Sequence, residues 1–381
     1  MPHLFSDLAI RGTRFKNRIV TSPMWQYRGA DGHVTDWHVM HLGRFAEGGA
    51  GLVFQEATTV DGLARGTEGD LGIWDDAHVP GLRRVVDVIH ESGALAGIQL
   101  GHPGRKARSP RPWEPPSALG PADDDPEWQL LAPSASPDHD DRLPWRVMTL
   151  ADIERVRRCW RDAVERADAA GYDVLEIHGA HGYLLHTFLS PASNTRTDDY
   201  GGSFDARTRL LREVVGDARA AWPDHKPLFV RLSCVDGAGW TIDDTLRLAR
   251  VLADLGVDVI DCSTGGITGS SLDTGAPPSY GYQVPYAAAI REATSMRTMA
   301  VGLIVHPRQA DHIVGSGQAD LVALGREMLL NPNWPMDAAQ KLGADTGFSF
   351  HGPHLSYWLA RRRRSVDDLL PSTFGDLDDW R

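Results

Sequence analysis

The chain is poor in cysteine, in surplus positive charge and in long apolar runs. Its 381 residues include only 3 cysteines, Cys159, Cys234 and Cys262, odd in number and far apart. No paired spacing is present to grip zinc or an iron–sulfur cluster, so a reducing, cytoplasmic setting is expected. Acidic residues outnumber basic ones, 51 against 39, for a net charge of −12. That balance points away from nucleic acid and from anionic membrane surfaces, and toward a small-molecule role. No stretch of about 18 apolar residues occurs, and the opening MPHLFSDLAIRG lacks a positive segment with an apolar core, so neither membrane spanning nor export is expected. A Gly-rich dinucleotide turn is also missing, because Ser22-Pro23-Met24-Trp25 follows the first strand-like run.

What the sequence has is an ordinary globular composition, 42% hydrophobic and 24% charged, arranged with a clear rhythm. Eight short runs rich in Val, Ile and Leu recur: Ile19 to Met24, Gly51 to Ala57, Ala94 to His102, Val174 to His181, Leu228 to Ser233, Val257 to Thr264, Thr298 to Ile304 and Asp320 to Arg326. Amphipathic segments such as Leu150 to Ala170, Asp205 to Ala221 and Asp243 to Leu255 lie between them. Buried parallel strands alternating with crossover helices predict an α/β fold, a (β/α)8 TIM barrel. Leu4 to Lys16 reads as an N-terminal hairpin turning at Arg11-Gly12, a plug for the barrel bottom. Between the third strand and the third helix a long excursion, Pro103 to Met148, carries Trp113, Trp128 and Trp145. Disordered segments are poor in aromatics, so a lid is expected there. The barrel is expected to fill residues 1–344, and 345–381 to form a C-terminal tail with Tyr357, Trp358 and the run Arg361 to Arg364.

In such a barrel the chemistry sits at the C-terminal strand ends. Alternation along the fourth run sends Val174, Glu176 and His178 inward and Leu175 and Ile177 toward the helices. His178 and His181, in EIHGAHGY, form a pair of donors able to hold an oxygen that gains negative charge, with Tyr183 as a proton source. Two other readings stay open: histidines satisfied by backbone, or ligands of a zinc site. Gln99 and Arg231 also face inward, and a buried arginine calls for a bound ligand or an internal ion pair with a carboxylate such as Glu176. Gly302, Gly325 and Arg326 at the last two strand ends suit a phosphate. GGITGS, 265–270, lacks the lysine of a phosphate loop and reads as an ordinary connection.

These motifs resemble the Old Yellow Enzyme family of FMN-dependent ene-reductases, bacterial branch, from Leu4 to about Leu330. The most specific piece is EIHGAHGYLLHTFLSPASNTRTDDYGGSFDARTRLL from Glu176, supported by SPMWQY, DLGIW, GIQLGHPGRKA, LFVRLS and ALGRE. The resemblance implies that Pro23, Met24, Ala57, Gln99 and Arg231 contact the flavin ring and ribityl chain, with Gly302, Gly325 and Arg326 at its phosphate. It implies that His178 and His181 bind the substrate carbonyl oxygen, that Tyr183 protonates the α-carbon, and that Tyr27 lines the pocket. NADPH or NADH would reduce the flavin and leave; an enone or enal would then take hydride at its β-carbon.

Trp25 stands where many relatives carry cysteine or threonine, so it counts both as a flavin neighbour and as a pocket residue. A changed flavin potential and a reshaped pocket are expected, against plain packing beside the ring. By the same resemblance the tail aromatics and an arginine reach a neighbouring subunit of a homo-oligomer, against a solvated helix face. Oxidation of a ketone or amine is the alternative within this chemistry. From another class, a metal-dependent hydrolase barrel would use His178, His181 and His186.

Overall fold

The computed structural model describes residues 1–118, 128–135, 145–269 and 279–367. Strands β1 (Leu8–Ile10) and β2 (Thr13–Phe15) pair antiparallel, with Arg11 at the turn in the left-handed region, φ 51°. The main sheet begins with β3 (Ile19–Thr21), β4 (Leu52–Thr59) and β5 (Leu95–Gly101). After the excursion, which carries the two-residue strands β6 (Leu131–Ala132) and β7 (Arg146–Val147), it continues through β8 (Val174–Gly179), β9 (Leu228–Ser233), β10 (Val259–Ser263), β11 (Arg297–Ala300) and β12 (Leu321–Leu324). All neighbours are parallel, and β12 pairs with β3 to close an eight-stranded barrel.

The helices follow the strands outside this barrel. They are α1 (Asp36–Glu47), α2 (Val79–Glu91), α3 (Leu150–Ala170), the short α4 (Leu184–Leu189), α5 (Phe204–Ala221), α6 (Ile242–Asp254), α7 (Val284–Thr294), α8 (Pro307–Gly315), α9 (Arg326–Leu330), α10 (Trp334–Lys341) and α11 (Pro353–Asp367). Local chemistry sets their ends. Thr149 accepts the Asp152 N–H at 3.2 Å to start α3, and Gly171, φ 96°, stops it.

The two-residue period of the strands divides the core. Val20, Leu52, Phe54, Val174, Phe229, Val259, Met299 and Leu321 point inward and form one cluster with Ile10 and Phe15 of the hairpin. The hairpin therefore plugs the barrel as its sequence suggests, and Phe15 stacks on Phe229 at 6.5 Å. Their strand neighbours Val53, Ala96, Ile98, Leu175, Ile177, Val230 and Ile260 pack outward against the helices.

Two strands are shorter than their apolar runs. Chain pairing at β3 stops after Ser22, whose N–H reaches Leu324 O at 2.9 Å, because Pro23 has no N–H to continue it. After β11 the chain turns at Gly302, φ 103°, and Leu303, φ 50°. The described part of the excursion is tied to the barrel mouth. Trp128 gives its N–H to Arg65 O at 2.6 Å, Trp145 reaches Ser134 O at 3.3 Å, and Trp113 stands exposed with its edge to Tyr27. Residues 119–127 and 136–144 of the expected lid, and 368–381 of the tail, lie outside the described residues. The three cysteines are free, and no described helix is long and apolar enough to cross a membrane.

Candidate active site

His178 is the inward residue at the end of β8, and it is buried. The Ala180 N–H donates to its Nδ1 at 3.2 Å, so Nε2 carries the ring proton. His181 sits in the left-handed region, φ 60°, a conformation that costs energy outside glycine and here is held from several sides. Its N–H donates to Ser233 Oγ at 3.1 Å, its carbonyl accepts Lys106 Nζ at 2.6 Å, and its Nε2 lies 2.6 Å from Ser263 Oγ. Lys106 also reaches Gly266 O at 2.8 Å, tying two strand-end loops together. A Cβ on Gly266 would come within 2.4 Å of His181 Cα, so the GGITGS connection is packed backbone to backbone against the histidine turn. Ser270 at its end lies outside the described residues.

The three polar residues singled out in EIHGAHGY come together. The rings of His178 and His181 are 5.0 Å apart at 82°, and Tyr183 stands 4.8 Å from His178 and 6.5 Å from His181. Burial, with Arg231 second, holds both imidazoles well below their ordinary range, so both are neutral. Burial likewise pushes the Tyr183 phenol up, which keeps its proton on at neutral pH. Trp25 and Tyr27 extend this aromatic wall, Trp25 lying 5.3 Å from Tyr183 and 5.9 Å from Tyr27. Burial raises the Tyr27 phenol to about 12. The Trp25 N–H is committed to Ala57 O at 2.7 Å, so the indole has no donor left for a cofactor.

Below this wall the barrel interior turns polar. Gln99 Nε2 donates to Glu176 Oε1 at 2.7 Å, while Arg231 Nε faces Asp261 Oδ2 at 3.1 Å. The carboxylate opposite Arg231 is therefore Asp261 rather than Glu176, because the register of β9 and β10 pairs Arg231 with Asp261 directly. Burial pushes both carboxyls up, and Arg231 opposes that rise in each. Glu176 Oε2 remains buried without a hydrogen-bond partner, as a floor built to meet a polar ligand would leave it.

Around this floor stand Pro23 and Met24 after β3, Ala57 on β4 and Gln99 on β5. A Cβ on Gly325 would approach Met24 Sδ to 3.5 Å, which brings the ends of β12 and β3 together. Arg326 is exposed, and among the described residues it has no carboxylate partner. A guanidinium has the donor chemistry that a phosphate requires. The residues present fit a flavin mononucleotide. His186 is buried, its Nδ1 accepting the Gly182 N–H at 2.9 Å. Among the described residues no three His, Cys, Asp or Glu side chains gather to hold a metal ion.

Four residues of the site were not singled out from the sequence: Asp261, Lys106, Ser263 and Gln283. Asp261 carried a signal, a charge at an inward position of an apolar strand, VIDCS. The other three act through contacts between segments remote in sequence, which local pattern does not carry.

The model of the NADH:flavin oxidoreductase / NADH oxidase family matches residues 3–345. An NADPH dehydrogenase of Geobacillus sp. (strain WCH70) is 43% identical over 344 residues, 89% of this chain and 94% of that protein. Among solved structures, an old yellow enzyme homologue from Zymomonas mobilis superposes with TM-score 0.74 at 27% identity, covering 89% of this chain and 93% of that one. 2-Naphthoyl-CoA reductase shares the fold, TM-score 0.79 at 24% identity; the match covers 89% of this chain and 52% of that longer one. The chain belongs to the NADH:flavin oxidoreductase / NADH oxidase family, the Old Yellow Enzyme family, and is an FMN-dependent NAD(P)H oxidoreductase on a (β/α)8 barrel.

Proposed function

We propose that the protein uses NAD(P)H to reduce the activated C=C bond of α,β-unsaturated carbonyl compounds. The observation that carries this reading is the neutral imidazole pair, His178 and His181, with rings 5.0 Å apart beside Tyr183. Two neutral N–H donors suit an oxygen that is a carbonyl in the substrate and enolate-like in the transition state. Protonated imidazoles would give up a proton to that oxygen; neutral ones stabilise it and keep theirs. Tyr183, whose phenol stays protonated, gives its proton to the α-carbon on the side away from the reductant. Trp25 and Tyr27 narrow the pocket to flat, small enones or enals.

FMN, when bound, supplies the hydride chemistry that no side chain here can perform. Pro23, Met24, Trp25, Ala57, Gln99 and Arg231 would hold its ring and ribityl chain, and Gly302, Gly325 and Arg326 its phosphate. The Arg231 guanidinium would supply a positive charge to that ring, and Asp261, 3.1 Å from its Nε, would keep it aimed. One shared site for nicotinamide and alkene accounts for a chain that reads NAD(P)H without a Rossmann turn.

Anaerobic NADPH consumption in the presence of 2-cyclohexenone tests the reading. One equivalent of cyclohexanone formed per NADPH is expected. NADPH loss that ignores the enone, with flavin reduced instead by a saturated ketone or an amine, would replace reduction by dehydrogenation.

A further inference from the structure

His181 is the one member of the imidazole pair whose proton position is not fixed by the backbone. His178 receives the Ala180 N–H on Nδ1, which assigns its proton to Nε2. His181 has its Nε2 at 2.6 Å from a hydroxyl, Ser263 Oγ, and a hydroxyl can either give or receive. The direction of that single hydrogen decides what the other ring nitrogen offers. If Ser263 receives, Nδ1 of His181 presents a lone pair and repels a carbonyl oxygen. If Ser263 gives, Nδ1 carries the proton and donates.

The surroundings favour giving. β9 and β10 pair Ser233 with Ser263, so two strand-end serines converge on one histidine, the first on its backbone and the second on its ring. Ser233 already commits its hydrogen to Gly265 O at 2.8 Å and so accepts the His181 N–H. Ser263 has two places to send its hydrogen, His181 Nε2 at 2.6 Å or Gln283 Oε1 at 3.1 Å. The amide of Gln283 is oriented by its Nε2, which reaches Val301 O at 3.4 Å. Its Oε1 also lies 3.2 Å from Thr264 Oγ1, so Gln283 has a second donor and does not depend on Ser263. The shorter of the two contacts is the one to the ring, and Arg231 and burial keep that ring neutral, with one proton to place.

We infer that Ser263 is a positioning residue that fixes the His181 tautomer, donating its hydroxyl hydrogen to Nε2 so that Nδ1–H of His181 and Nε2–H of His178 form a matched pair of donors. The two histidines then use opposite tautomers, each set by a different neighbour: a backbone N–H for His178, a serine hydroxyl for His181. The use made of Nδ1–H rests on the proposed ene-reductase reading; the tautomer itself does not. Gln283 Oε1, at the start of α7, then keeps the Thr264 hydroxyl as its donor.

Nitrogen NMR of the FMN-loaded protein labelled with 15N-histidine reads each ring directly, with His181 assigned by the signals lost in His181→Asn. The wild type is expected to show His181 with its proton on Nδ1 and His178 with its proton on Nε2. Ser263→Ala should move His181 toward the Nε2–H form and slow flavin reoxidation by cyclohexenone about a hundredfold, the scale of losing one preorganised donor. Ser263→Thr keeps the hydroxyl and should restore both. A purely structural serine would lower the melting midpoint and leave the tautomer alone. His181 found as Nε2–H in the wild type overturns the inference whatever the kinetics, and needs no variant to fold. A wild type with Nδ1–H that ignores enones instead overturns the ene-reductase reading and leaves the assignment standing.

Discussion

The indole of Trp25 stands edge-on to the phenol of Tyr183, ring centroids 5.3 Å apart at 69°, with its N–H locked on Ala57 O at 2.7 Å. A bulky ring pinned at one end acts as a wall: it takes space from the pocket and offers no hydrogen bond in return. Trp25→Cys should admit bulkier enones, raising their kcat/KM by about tenfold or more, the scale set by freeing a few methylene-sized volumes. The flavin potential should shift as well, since the thiol brings a polar group where the indole had none to spare. Competition kinetics with substituted cyclohexenones and a redox titration check both; unchanged values in each would reduce Trp25 to a packing residue.

Arg326 is exposed and without a carboxylate partner among the described residues. Its proposed partner is the FMN phosphate. Arg326→Ala should weaken FMN binding by roughly tenfold to a hundredfold, in line with about 1.5–3 kcal/mol for a hydrogen bond to a charged group. The melting midpoint of the apoprotein should stay put, as for most exposed substitutions. Fluorescence titration of apoprotein with FMN measures the first effect; equal affinity for variant and wild type would move the phosphate elsewhere.

Glu56 lies directly before Ala57 on β4, buried, accepting the Gln26 N–H at 3.1 Å and facing His38 Nε2 at 3.8 Å. Burial, opposed by the backbone N–H groups of Gln26 and Tyr27 and reinforced by the charge of Asp70, raises its carboxyl from 4.5 to about 8. Burial, with Arg28 also opposing charge on the ring, lowers His38 from 6.5 to about 4. A folded protein that holds the Glu56 proton more tightly than its unfolded chain loses stability as pH rises from 4.5 to about 8. His38 works in the opposite sense, adding stability as pH rises from about 4 to 6.5. Of these two groups, only Glu56 acts between 6.5 and 8. Glu56→Gln keeps the acceptor for Gln26 and removes the ionisation, so its melting midpoint should gain on the wild type steadily across that interval. Parallel curves for the two proteins would show that Glu56 is already ionised at neutral pH.

The tail helix α11 shows Tyr357 56% and Trp358 65% exposed, their rings 5.1 Å apart. Arg363 turns back onto its own chain, reaching Gln340 Oε1 at 3.2 Å and the Thr346 carbonyl. Of the tail's side chains, the aromatic pair and one of Arg361, Arg362 and Arg364, all exposed, are the part proposed to meet a second subunit. Truncation after Gly352 should reduce the oligomer size seen by light scattering and alter turnover together. Unchanged size and rate would leave α11 a solvated cap.

The barrel was legible because its signal is local and repeated. Val174, Glu176 and His178 alternate inward, with Leu175 and Ile177 outward, so one run fixed both the packing and the direction of the first histidine. Strand ends were less legible: the apolar runs continue past Thr21 and Ala300, and only Pro23 and the Gly302 turn end the pairing. Arg231 is legible as an inward cation, but which carboxylate faces it is not, because Glu176 and Asp261 both point inward and only the register decides which lies opposite. Lys106 and Gly266 are harder still, since the carbonyl of His181 that the first grips and the backbone that the second touches have no side-chain signature.

The central claim, a flavin passing reducing equivalents from a nicotinamide to an enone held by His178 and His181, is tested most directly by anaerobic absorbance spectra of the purified protein. The account predicts oxidised flavin bands that bleach with NADPH and return on addition of 2-cyclohexenone, with the return slowed in His178→Ala. Flavin that bleaches and stays bleached with the enone, or protein that takes up no FMN on reconstitution, would contradict it.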